Sequence, residues 1–228
     1  MKLRSLAVLA SLLVSLAPAL LATGCIDYTR PFGPHWRTTP LPTSPQGVVR
    51  VLQWCWKHRE VNLYEPIFTD DFRFVFAEAD SAGNAYRDVP WTREDELAMA
   101  RNLFVGNDTH SPASDIQIDF DDTLVPLPDE RPGKNPAWHQ AIRTRADLRV
   151  TFDRGNGPEV CEVHGYARFY VVRGDSAAIP PELVARGYGP DPGRWWIERW
   201  DDETLPGAGT HAQPVQNRTW GGVKTLFR

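Results

Sequence analysis

Two long stretches of period-two alternation, joined by one turn, constrain this chain more than any other feature. Ile142, Thr144, Ala146, Leu148, Val150 and Phe152 fall on one face of a strand. Cys161, Val163, Gly165, Ala167, Phe169 and Val171 fall on one face of the next. Between them stands Gly155-Asn156-Gly157-Pro158, a turn by composition. The pattern predicts an antiparallel hairpin over 141–153 and 159–172. Its apolar faces match only if opposed residue numbers have an odd sum, since a one-residue slip turns every side chain over. A turn closed by Gly155 to Pro158 sets Arg149 opposite His164 and Asp147 opposite Tyr166. The other faces carry Arg143, Arg145, Asp147 and Arg149, then Glu162, His164, Tyr166 and Arg168. They read as a convex, solvated or dimer-forming surface.

An apolar sheet face needs a cover, and the residues before the hairpin supply it. Ser44 can cap a helix that has Pro45 at its first position. Val48, Val51, Leu52 and Cys55 follow helical spacing, and Val49 and Trp56 widen the face. A short helix or turn over 62–68 is limited by Pro66, and a strand follows at 73–77. Thr92 opens another helix with Glu94 and Asp95 in its first turn, and Gly106 ends it. Ile116, Ile118 and Phe120 mark another strand, and 194–200 the last. Two strong helices exclude an all-β barrel.

The N-terminus carries a different kind of information. Lys2 and Arg4 precede an apolar run of about 17 residues that contains Pro18 and closes on Leu21-Ala22-Thr23-Gly24-Cys25. Small residues followed at once by Cys resemble the lipobox of bacterial lipoproteins. That resemblance implies export, cleavage before Cys25, and acylation of Cys25 by several chains, which anchor stably where one would not. Residues 1–24 are then a signal peptide. Residues 25–44, with Pro31, Pro34, Pro40 and Pro42, form a lipidated, extended tether. Ile26 after the cysteine implies, in a Gram-negative source, the outer membrane facing the periplasm. The removed segment takes Lys2 and Arg4 and no acid, leaving 23 basic against 29 acidic residues. This mild acidity without a basic run does not suggest nucleic acid. Cys55 and Cys161 both lie on apolar faces and are expected to be buried; whether they pair is left open.

The order helix, helix, strand, helix, then four strands resembles the nuclear transport factor 2-like superfamily, which includes SnoaL-like proteins and ketosteroid isomerases. Glu65-Pro66-Ile67-Phe68-Thr69-Asp70-Asp71-Phe72 and Trp195-Trp196-Ile197-Glu198-Arg199-Trp200-Asp201-Asp202 carry the local likeness. The resemblance covers 45–203 and leaves 204–228 as a C-terminal tail. It implies an α+β domain whose curved antiparallel sheet wraps a long N-terminal helix into a cone with an apolar pocket.

Chemistry is sparse. His35, His58, His110, His139, His164 and His211 are scattered without metal-ligand spacing, so neither a metal nor another cofactor is expected. Asp119 and Asp121 read as solvated strand positions, and Asn217-Arg218-Thr219 as a chance sequon. His58, Tyr64 and Asp70 can reach the cone mouth from the helices. His164 beside Glu162 reads as a cross-strand charge ladder. The inward faces of the middle strands hold no carboxylate or histidine, and Thr144 is their one hydroxyl. The last strand has two settings. With Trp196 and Trp200 inward, Glu198 becomes a buried carboxylate in a pocket with Trp56 and Phe76. With Trp195 and Ile197 inward, Glu198 faces out.

These readings together favour non-catalytic binding of a small apolar ligand or a protein partner at the envelope, with a second copy docking on the convex sheet face. Two alternatives remain: an isomerase, dehydratase or cyclase, which needs a void with an isolated carboxylate, and a structural protein whose cone is filled.

Overall fold

In the computed structural model of the protein, residues 39–86, 89–109, 111–153, 155, 157–205 and 215–228 are described. Cys25, the expected leader and the expected tether up to residue 38 lie outside them. So do His35, His110 and His211.

Helix α1 spans Pro45–His58, and Ser44 caps it by accepting from the Gly47 amide at 2.9 Å. Val48, Val49, Val51, Leu52, Cys55 and Trp56 are its buried face. Helix α2 (Val61–Tyr64) continues into a short 3-10 turn, Glu65–Ile67, which releases the chain into strand β1, Phe68–Val75. Strand β2 (Trp91–Thr92) leads into α3, Arg93–Phe104. Thr92 and Asp95 close a capping box there, each side chain accepting from the other residue's amide.

Strands β3 (Asp115–Phe120), β4 (Pro126–Pro128), β5 (His139–Asp153) and β6 (Pro158–Arg173) follow. Then come α4 (Pro181–Ala185), β7 (Trp195–Thr204), β8 (Val215–Asn217) and α5 (Trp220–Thr225). The sheet has eight strands in the order β2-β1-β7-β6-β5-β3, with β4 beside β5 and β8 beside β6. Its curved inner face packs against α1, as the α+β expectation required. The sheet is mixed, however: β1 runs parallel to β7, and β8 parallel to β6.

The long hairpin forms with its faces matched, but slipped by two residues. Arg149 opposes Glu162 and Asp147 opposes His164. The turn lies earlier than composition suggested, because the Asp153 carboxylate accepts from the Gly155 and Gly157 amides at 2.6 and 3.3 Å. That leaves Pro158 free to pair opposite Asp153. Gly165 lies where β6 passes β7: its φ is 145°, and a Cβ there would stand 2.8 Å from the Thr204 Cα. Cys55 and Cys161 are both buried and are not joined to each other in a disulfide.

The segment 215–228, read from sequence as a tail outside the domain, packs into the core. Trp220, Val223 and Phe227 belong to the same apolar cluster as α1 and the sheet. All described residues fall in one unit running from Thr38 to Arg228.

Candidate functional site

The cone interior is the place where this fold would hold chemistry, and aromatic side chains occupy it. Trp56, Trp200 and Trp220 are fully buried and meet edge to face, their ring centroids 4.7 to 6.4 Å apart. Phe74 and Phe169 close on Trp200 at 5.3 and 5.0 Å, and Phe104 and Tyr64 continue the stack from the helices. Such contacts each add a fraction of a kcal/mol to about 1.5 kcal/mol beyond burial. The indole N–H groups of Trp200 and Trp220 are buried without an acceptor among the described residues, a cost of using indole as filler.

Within this packing lies a polar centre. The Glu96 carboxylate, on α3, accepts from the Tyr64 hydroxyl at 2.6 Å, the Trp91 indole at 3.0 Å and the Lys224 ammonium at 2.5 Å. Trp56 in turn donates to the Tyr64 oxygen at 3.2 Å. Lys224 comes from α5, and its ammonium lies 3.7 Å from the ring centroids of both Phe74 and Trp200. Burial pushes the Lys224 pKa down to about 8, against the pull of Glu96. Burial, with the Glu96 charge, pushes the Tyr64 phenol well above its usual value.

A second buried carboxylate fastens the same segment. Asp202 accepts from the Thr204 amide and hydroxyl at 2.9 and 2.5 Å, and from the Gly221 amide at 2.8 Å. Burial raises its pKa to about 6, although these donors and their hydrogen bonds oppose the shift; the Asp80 charge adds to it. The Thr219 hydroxyl donates to Asp80 at 2.5 Å and caps α5 by accepting from the Gly222 amide at 2.9 Å.

The pocket expected from sequence divides between the two faces of the sheet. Trp56 and Trp200 are inside, and Phe76 packs at the core's margin, stacked on Tyr86 at 4.8 Å. Trp196 and Glu198 are outside. Trp196 packs with Val172 and Leu183 in a separate cluster under α4. Glu198 joins Arg131 at 2.7 Å, Lys134 at 2.5 Å and His139 at 3.6 Å. The cause is a bulge: Tyr170 opposes Arg199 while Val171 opposes Ile197, so Glu198 is an extra residue in β7. Trp195, Ile197 and Trp200 therefore all reach the main core, which neither strict alternation allows.

Other candidates are ordinary. The His58 Nδ1 lies 2.8 Å from the Trp54 carbonyl on the exposed side of α1, and Asp70 is exposed. His164 pairs with Asp147 at 2.7 Å on the outer face and stands 3.8 Å from Glu162, a cross-strand ladder. Asp119 is exposed and paired with Lys57 at 2.8 Å. No cluster of three or more metal-ligating side chains occurs among the described residues, and none of their helices is long and apolar enough to cross a membrane. The outer face carries an open groove of about 400 Å³ lined by Leu127, Asp129, Arg131, Arg143, Arg168 and Tyr170. In it the Arg131 guanidinium stacks on Tyr170 at 4.0 Å.

No protein-family model matches the sequence, and a search of curated proteins finds no match. Solved structures similar to the chain include a conserved protein from Planctomyces limnophilus, 16% identical, covering 70% of this chain and 92% of its own, with a TM-score of 0.45. A nuclear transport factor 2-like protein of unknown function in nutrient uptake from Rhodospirillum rubrum is 14% identical, covering 69% and 95%, at 0.41. A putative scytalone dehydratase from Novosphingobium aromaticivorans is 9% identical, covering 76% and 89%, at 0.43. The α+β assignment rests on the strand order and register set out above.

Proposed function

We propose that this chain is an exported lipoprotein, processed before Cys25 and held on a membrane by acyl chains on that cysteine, whose domain is a non-catalytic docking module. The location rests on the string Leu21 to Cys25 and, for an outer membrane in a Gram-negative source, on Ile26. The observation that carries the non-catalytic reading is the filled cone. Trp56, Trp200 and Trp220 occupy the space a small apolar ligand would need, and Glu96, Tyr64 and Lys224 satisfy one another. An isomerase or dehydratase would need one of these groups free and facing a void. Binding then falls to the outside, and the groove between Leu127 and Tyr170 is the surface we assign to a second copy of the chain.

The experiment is photo-cross-linking in intact cells with a photoreactive residue at Leu127, which is 60% exposed. A product of twice the chain's mass is expected, and the same probe at Val105 on the helical side should give none. Equal products at both positions would end the docking assignment. Turnover of a ketosteroid-like or polyketide-like substrate that disappears in Glu96→Gln would end the non-catalytic one.

A further inference from the structure

The polar centre of the cone separates cleanly into a host and a guest. The host is built from five different elements: Tyr64 of α2, Phe74 of β1, Trp91 of β2, Glu96 of α3 and Trp200 of β7. The guest is one ammonium, Lys224, from α5. Glu96 is oriented without the guest, because the Tyr64 hydroxyl and the Trp91 indole already donate to its two oxygens. Two aromatic faces, each 3.7 Å from the Lys224 Nζ, complete a cage of the sort that attracts a cation through the negative ring face. An apolar pair of the same size is often as stabilising as a buried ion pair, so the arrangement specifies a hydrogen-bonding amine more than it strengthens the core. Helix α5 spans only six residues and begins Trp-Gly-Gly, too short and glycine-rich to hold itself in place.

We propose that the core of the cone is a recognition site for a primary alkylammonium group, filled in cis by Lys224 and able to take a free alkylammonium ion when that side chain is withdrawn. The Glu96 carboxylate accepts the ammonium protons. Phe74 and Trp200 contact its faces and the adjoining methylenes. The channel left by the lysine stem sets the class of ligand: a primary amine on a short, unbranched alkyl chain. A quaternary ammonium lacks the N–H that Glu96 accepts, and a carboxylate meets both Glu96 and the Asp202 charge.

The test uses the full chain with Lys224→Ala, which deletes Cγ, Cδ, Cε and Nζ. The probe is n-propylammonium, which replaces those atoms. Thermal unfolding is followed by tryptophan fluorescence. Propylammonium is expected to raise the melting temperature of Lys224→Ala saturably, by about 5 °C or more near saturation. It should leave wild type and Lys224→Met unchanged, and n-propanol and propionate should not substitute for it. An equal rise with n-propanol would mean cavity filling without recognition and would overturn the proposal, as would an equal rise in wild type. If Lys224→Ala does not fold unaided, refolding from denaturant is measured with each probe. Recovery with propylammonium alone then carries the proposal, and no recovery with any probe overturns it. The readout involves neither the lipid nor a partner, so its failure is separate from failure of the docking reading.

Discussion

The Lys224 ammonium lies 2.5 Å from the Glu96 carboxylate, and neither side chain reaches solvent. Two charges withdrawn from water stabilise a fold only while they have each other. Lys224→Met should therefore cost about 3–5 kcal/mol in urea unfolding, because Glu96 is left buried without its partner. Adding Glu96→Gln to it should recover part of the loss, with a coupling energy of about 1–3 kcal/mol. Additive losses would show that the pair acts as two separate residues.

The pH dependence follows from the same buried groups. The raised Asp202 pKa means that the folded state holds its proton more tightly than the unfolded chain. Its contribution is present below about pH 4 and lost as pH rises through about 6, an effect on the order of 3 kcal/mol. The lowered Lys224 pKa acts in the opposite sense, and stability returns as pH rises from about 8 towards 10. The urea midpoint should thus fall between pH 4 and 6 and climb again above 8. Asp202→Asn should flatten the acid limb and Lys224→Met the alkaline one; an unchanged acid limb in Asp202→Asn would assign it to another group.

Gly221 allows α5 to lie against the sheet. A Cβ there would run into the Phe76 ring and stand 2.7 Å from an Asp80 carboxylate oxygen. Phe76 cannot retreat easily, being stacked on Tyr86. Gly221→Ala should destabilise by about 1–3 kcal/mol through overpacking, read as a shift in denaturant midpoint. Gly189→Ala, which meets nothing within 4 Å, is the neutral comparison.

For the membrane reading, Cys25→Ser should abolish incorporation of labelled palmitate and leave the precursor uncleaved. Labelling equal to wild type would remove the lipoprotein from the proposal.

Most of the frame was legible from periodicity. The face of α1, the cap at Ser44, the capping of α3 by Thr92 and the matched faces of β5 and β6 each follow from a pattern that a few residues carry. What escaped has definite causes. A single bulged residue, Glu198, breaks the parity of β7, and alternation cannot announce a bulge. Glu96 is not singled out beside Glu94 and Asp95; only the tertiary packing of Tyr64, Trp91 and Lys224 distinguishes it from Glu94. Lys224 lies in a glycine-rich stretch whose neighbours in space, Trp200, Glu96 and Phe74, are 24, 128 and 150 residues away in the chain, so no local signal marks it.

The cone is completed by residues that are translated after every strand of its sheet. Until Trp220, Val223 and Lys224 have left the ribosome, Trp200 has Trp56, Phe74 and Phe169 beside it but not Trp220, and Glu96 lacks its cation. The nascent chain therefore cannot reach its final packing during synthesis, however early the hairpin forms. Under the export proposed above, that order of events would delay the closing of the domain.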